Sequence, residues 1–283
     1  MPGNNPVLEM QAQRQQERAR AVKKLEELAQ QHVALQRPVF FVPGWTDEAN
    51  VCWTSAYRKG DVPIKDTLAR MAANADLAAY VTFTEQQSKQ CKSFFDFGEL
   101  LKQTIREAIG PKAPCDLVGH SMGGLDAIAA ILDDAPPLLQ VVNLVTVATP
   151  HQGSELGELG PILKTFPPHH AIQCLHLDPD QPAIRLINKV EARQTALSRV
   201  QKLYCLMGTR DMAVMRSARY NKAGLDPAFY KEKVEIVEIG GARHSDLFGI
   251  TQDPRLLLSV IDILLGIELE KPQKNCGYVY KNV

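Results

Sequence analysis

Three residues of this 283-residue chain combine the types that nucleophilic catalysis needs with a common placement, each just after an apolar run. Ser121 lies in Asp116-Leu117-Val118-Gly119-His120-Ser121-Met122-Gly123-Gly124. Asp211 closes Gly208-Thr209-Arg210-Asp211, and His244 lies in Gly240-Gly241-Ala242-Arg243-His244-Ser245-Asp246. A serine hydroxyl is a weak nucleophile until a histidine takes its proton. The histidine in turn needs an acid to hold its tautomer and balance its charge. The Gly-x-Ser-x-Gly spacing also has a backbone reason. A serine on a sharp strand-to-helix turn takes a strained conformation, and the residues two positions either side pass so close that Gly119 and Gly123 leave room where side chains would clash. The amide of Met122, at the start of the following helix, has no partner inside that helix and points at the site.

Such residues meet only if their loops share one edge of a sheet. Pro38-Val39-Phe40-Phe41-Val42-Pro43-Gly44 reads as a strand buried on both faces and ended by Pro-Gly. Further strands are expected at Ala79–Thr84, Cys115–Val118, Val141–Ala148, Leu203–Met207 and Val234–Ile239. Helices are expected over 63–77, 94–109, 122–133 and 254–265, with shorter pieces near 154–165 and 183–199. Residues 7–36, within a 1–37 N-terminal segment, read as an amphipathic helix whose stripe runs through Val22, Leu25, Leu28, Ala29 and His32 or Val33. Alternation of strands and helices predicts an α/β fold with a mostly parallel central sheet flanked by helices. In that fold the loops after the strands carry Gly44-Trp45, Ser121, Thr149-Pro150-His151, Asp211 and His244. The Gly-, Pro- and His-rich stretch 152–200 is too short to bury its own core and reads as a cap or lid insertion, so residues 1–283 are expected to form a single domain.

The order serine, acid, histidine is that of the α/β-hydrolases. With Gly-His-Ser-Met-Gly-Gly at the turn and Thr149-Pro150-His151-Gln152-Gly153 after the next strand, the chain resembles their lipase and esterase branch over roughly residues 38–265. That resemblance implies Ser121 as nucleophile, His244 as general base and acid, and Asp211 as orienting acid. It also implies the amides of Met122 and Trp45 as an oxyanion hole. Glu155 and Asp226 are alternatives for the acid, whereas Asp246 lies too near His244 along the chain. The resemblance departs at Pro43-Gly44, where many relatives carry His-Gly; the backbone donor survives that change. Trp45, Trp53 and His151 are candidate substrate-binding residues. The two tryptophans could equally fill the core, His151 could buttress its own loop, and His120 supports the turn from beneath.

Composition narrows the classes. Lys plus Arg and Asp plus Glu each number 32, so no net field favours nucleic acid. The six cysteines show no metal-like spacing. A metal site from His151, His169, His170 and His176 is set aside, because neighbouring histidines in a Pro-rich loop are ordinarily solvated, and no metal or cofactor is expected. With neither a leader-like start nor an apolar run of about 20 residues, a soluble cytoplasmic enzyme is expected, with a small-molecule or lipid ester as substrate and transient membrane-surface contact left open. Acyl transfer by the same triad and a non-catalytic binding or scaffold role are the alternatives. Oligomeric state is not legible.

Overall fold

Six short apolar runs become six strands: β1 (Val39–Val42), β2 (Ala78–Tyr80), β3 (Pro114–His120), β4 (Gln140–Val147), β5 (Val200–Gly208) and β6 (Val234–Ile239). The structure is a computed structural model that describes residues 6–44, 50–56, 62–153, 182–211, 214, 218–243 and 250–269. The strands join in the order β2-β1-β3-β4-β5-β6, and every neighbouring pair is parallel. Burial on both faces explains the composition: all four residues of β1 and the last six of β3 are buried. From β1 the chain steps to β2 on one side, then returns to β3 on the other. The direction therefore reverses between β1 and β3, which opens a crevice beyond their carboxyl ends.

The helices are α1 (Pro6–Gln31), α2 (Val51–Thr54), α3 (Ile64–Met71), α4 (Glu85–Gln90), α5 (Phe94–Ile109), α6 (Met122–Leu132), α7 (Pro182–Ile187), α8 (Val190–Ser198), α9 (Pro227–Lys233) and α10 (Pro254–Leu265). One packed set is α5, α6 and α8, with α6 against β1, β3 and β4; another is α1 with α3 and α10. Their ends carry local signals. Ser93 and Asp96 form a capping box on α5, and Gly110 ends it at φ 83°. Asp253 caps α10, and Gly266 ends it in the left-handed region. Among the described residues no helix is long and apolar enough to cross a membrane.

Several expectations shift. The helix expected over 63–77 is α3 followed by a separate single turn at Ala75–Leu77. The strand expected over Ala79–Thr84 is only Ala78–Tyr80, because Thr84 instead begins α4 through a capping box with Gln87. The stripe of α1 holds at Leu25 and Leu28, with Ala29 and Val33 packed partly buried against the core, and fails at Val22. Its buried positions are Glu17, Ala21, Leu25 and Leu28, whereas Val22 is 43% exposed; spacings of four, four and three follow the face turned to α10. Of the 152–200 stretch, residues 154–181 lie outside the described residues. Its end is α8, which packs on α6 and β5. Parallel neighbours such as β4 and β5 need a crossover, and α8 is part of it.

The α5–α6 interface contains a carboxyl with a measurable consequence. Asp126 is buried on α6, its Oδ1 has no hydrogen-bond partner, and burial holds its pKa well above the ordinary value. The folded group therefore keeps its proton to a higher pH than the unfolded one, which ionises above about pH 3.9. Its contribution is present in full below that pH and is lost as pH rises toward the folded value. Asp126→Asn keeps the shape without the charge. We expect the variant to melt above the wild type at pH 8, with the difference shrinking toward pH 4. Thermal denaturation across that range checks this; a deficit of the same size at every pH would contradict it.

Candidate active site

Ser121 occupies the one residue between the end of β3 and the start of α6. Its backbone, at φ 53° and ψ −125°, is a conformation that L-residues rarely adopt. Main-chain bonds hold it there: the Ser121 amide donates to the Val147 carbonyl at 2.8 Å, and the Gly124 amide donates to the Ser121 carbonyl at 3.1 Å. The glycine spacing has the expected cause. A Cβ on Gly119 would lie 2.5 Å from the Gly123 carbonyl oxygen. Met122 is the first helical residue after the turn, so its amide is among those with no acceptor inside α6.

The end of β1 runs alongside. A Cβ on Gly44 would lie 3.1 Å from both Ser121 Cβ and His120 Nδ1, and one on Gly123 would lie 2.8 Å from the Val42 carbonyl oxygen. The Gly44 turn and the serine are thus brought together across the switch point. Trp45, expected to offer the second oxyanion amide, lies outside the described residues. Trp53 is fully buried; its Nε1 donates to the Val42 carbonyl at 3.2 Å, and its ring packs against Phe41 and edge-on to His120. Of the two readings open in the sequence, this placement has the features of core packing, directly beneath the crevice. His120 is buried between that ring and the Gly44 turn.

The Thr149-Pro150-His151 segment leans on the elbow helix, since a Cβ on Gly124 would come 2.8 Å from Thr149 Cγ2. His151 is buried: its Nε2 lies 3.0 Å from Thr146 Oγ1 and 3.6 Å from Cys205 Sγ, and its ring meets Tyr220 edge-on. Burial lowers its pKa to about 3, so it is neutral at physiological pH. The His151 carbonyl accepts from Asn188 Nδ2 at 2.8 Å. His151 is thus held by contacts with β4, β5 and Asn188 around its own loop.

Asp211 is fully buried after β5 and accepts from the Val214 amide at 3.1 Å through Oδ1. Its loop is stitched to the one that leads toward His244. The Thr209 amide donates to the Ile239 carbonyl at 3.1 Å, the Arg210 amide to the Ala242 carbonyl at 3.0 Å, and the Gly241 amide to Thr209 Oγ1 at 2.8 Å. The residue before Asp211 is therefore bonded to one two positions ahead of His244. His244 itself lies outside the described residues, as do Glu155, Asp246, His169, His170 and His176. Asp226 instead caps α9, accepting from the Phe229 amide at 2.9 Å. Among the described residues no three His, Cys, Asp or Glu side chains gather to hold a metal. Four of the six cysteines are described, all buried free thiols.

Sequence reasoning missed this stitching and the Thr149 contact. The doubled glycine Gly123-Gly124 was the available signal for the latter, because a second glycine beyond the elbow implies a second close approach. The inter-loop bonds use backbone groups, which leave no mark on residue type.

A parallel sheet of this order, with an elbow serine after β3 and helices on its faces, is the α/β-hydrolase fold. Solved structures of the same fold include lipases and esterases. The mature form of the lipase BlEst2 from Bacillus licheniformis is 21% identical with a TM-score of 0.52, over 82% of this chain and 92% of that one. A metagenomic carboxyl esterase is 14% identical with a TM-score of 0.53, over 82% and 76%. A gene product of Listeria innocua is 14% identical with a TM-score of 0.51, over 83% and 96%. At these identities the likeness is one of fold. No protein-family model matches the sequence, and no curated protein does.

Proposed function

We propose that this chain is a serine hydrolase of carboxylic esters, with Ser121 as nucleophile, His244 as general base and acid, and Asp211 as the orienting acid. The observation that carries the reading is the strained Ser121 backbone at the switch point, with the Gly44 turn beside it. A turn that only joined a strand to a helix would have no need of a serine at φ 53°, and strain of this kind persists where the surrounding structure enforces it for function. The fold of solved lipases and esterases supports the same reading, as does the bonding between the Asp211 loop and the segment before His244.

In this mechanism Ser121 Oγ attacks the ester carbonyl carbon while His244 takes the hydroxyl proton. The carbonyl oxygen becomes an oxyanion that accepts from the amides of Met122 and Trp45, each donor contributing about 10²–10³ in rate. Collapse breaks the bond to the alcohol, which leaves with the proton from His244. Water then gives a proton to His244 and its oxygen to the acyl carbon; the second collapse returns the proton to Ser121 and releases the acid. Asp211 accepts from the imidazole and holds its tautomer. The 152–200 insertion acts as a cap that selects the acyl group, within a single domain.

The test is covalent. A fluorophosphonate probe should label Ser121 in the folded protein, and p-nitrophenyl esters should be turned over; a folded protein that does neither refutes the proposal. The acid is tested separately. Asp211→Asn leaves the histidine in the wrong tautomer and should lower kcat by about 10³–10⁴. Asp226→Asn should leave turnover unchanged, because an asparagine still caps α9. The reverse pattern would reassign the acid.

A further inference from the structure

We infer that the N-terminal helix α1 is a working part of the catalytic apparatus, clamping the start of the His244 loop through a buried charge relay, so that Glu17 and Arg255 are positioning residues for the general base. The inference rests on the reading of His244 as that base.

Arg255, in the first turn of α10, is buried and uses its whole guanidinium. Its Nη2 donates to the Gly240 carbonyl at 2.9 Å, and its Nε and Nη2 hold Asp253 at 3.0 and 2.8 Å. Its Nη1 reaches Glu17 Oε2 at 3.2 Å, across from α1. Glu17 and Asp253 are also buried. From α1, Arg18 adds a bond to Asp253 at 3.2 Å, and the Arg14 guanidinium stands over Gly241, where a Cβ would lie 2.9 Å from it. Thus successive turns of α1 converge on residues 240, 241 and 253, at the exit of β6. His244 follows four residues after Gly240 in the chain.

The geometry has a direction. Lys24 of α1 meets Asp262 of α10 at 3.3 Å, and Gln36 reaches the Leu265 carbonyl at 2.7 Å. The two helices therefore run parallel, and Glu17 to Arg18 lie toward the catalytic edge while Lys24 lies toward the opposite one. Burying this much charge is costly unless every partner is fixed. What it secures here is one placement of a loop base that glycines would otherwise leave loose: Gly240-Gly241, the latter at φ 77°. A fork that binds two carboxylates and a carbonyl at once sets orientation as well as distance.

The test compares two cuts in the same helix pair. Glu17→Gln removes the charge at the loop end, and Arg255→Lys keeps the charge but loses the fork. Lys24→Met cuts the ion pair with Asp262 at the far end and serves as a control for destabilisation alone. All three should be less stable to heat. In assays below their melting temperatures, Glu17→Gln and Arg255→Lys should lower kcat about ten- to a hundredfold with KM little changed, and slow fluorophosphonate labelling of Ser121 in parallel. Lys24→Met should leave kcat as in the wild type. Hydrogen exchange of residues 240–249 should accelerate in the first two variants and not in the control. Unchanged kcat and exchange in Glu17→Gln would overturn the inference, as would equal kcat losses in all three variants. If Ser121→Ala and His244→Ala retain turnover, the catalytic reading fails instead, and the exchange measurement still decides whether the clamp exists.

Discussion

Ser121→Ala is expected to lower p-nitrophenyl ester turnover by about 10⁴–10⁶-fold and to abolish fluorophosphonate labelling while the protein stays folded. The size follows from chemistry: without the hydroxyl no acyl-enzyme forms, and only binding and oxyanion stabilisation remain. The fold should survive because the bonds that shape the elbow, Ser121 amide to Val147 and Gly124 amide to Ser121 carbonyl, are main-chain. Ser121→Gly sharpens the experiment. At φ 53° and ψ −125° a glycine relieves strain of about 1–3 kcal/mol, offset in part by about 0.5–1 kcal/mol of added freedom in the unfolded chain. An inactive variant with a net gain of about 1 kcal/mol is expected. Together the two substitutions would identify strain kept for function; turnover retained in Ser121→Ala would end the serine-hydrolase reading. Circular dichroism and denaturant titration supply the stability side of both measurements.

Gly123→Ala should damage the site from behind. Its new methyl would lie 2.8 Å from the Val42 carbonyl oxygen and 3.0 Å from the Pro43 carbonyl carbon, with the Pro43 oxygen closer still. All three are backbone atoms at the end of β1, so no side chain can turn aside. The methyl must push the β1 exit away from α6, and with it the Gly44 turn that lies against Ser121. Overpacking of this kind costs about 1–3 kcal/mol. If the Gly44 turn serves the proposed oxyanion hole, its displacement by even an ångström should lower kcat about a hundredfold. The denaturation midpoint should fall, and kcat should fall much further than KM rises. Unaltered turnover would mean that the β1 exit plays no part in catalysis.

The uneven legibility of this chain has physical causes. β1 could be read because a strand buried on both faces is apolar throughout, as Val39–Val42 is, and β3 to β6 through the apolar residues that dominate their buried positions. β2 could not be bounded, since its three residues are only half-buried and its extension was lost to the Thr84 cap of α4. Short helices were missed even where signals existed, such as Asp226-Pro227 ahead of α9. The stripe of α1 was legible at Leu25 and Leu28 but not at its N-terminal end, where Glu17, a charge, takes an interior position and Val22 does not. Periodicity counts apolar residues and cannot foresee that a carboxylate will be buried against an arginine 238 positions away.

The sequence by itself determined the elbow, the alternation that makes the α/β-hydrolase fold, and the order in which serine, acid and histidine follow their strands. These depend on residue type and local spacing, which a chain carries in plain form. Only the tertiary structure decided what the elbow touches. It set the Gly44 turn against Ser121, put Trp53 and His151 into buried packing, and gave Asp226 to a helix cap. It also tied the Asp211 loop to the segment before His244 and carried α1 across to its base. Those outcomes depend on contacts between distant segments, made largely through backbone atoms and buried charges, and no local pattern records them.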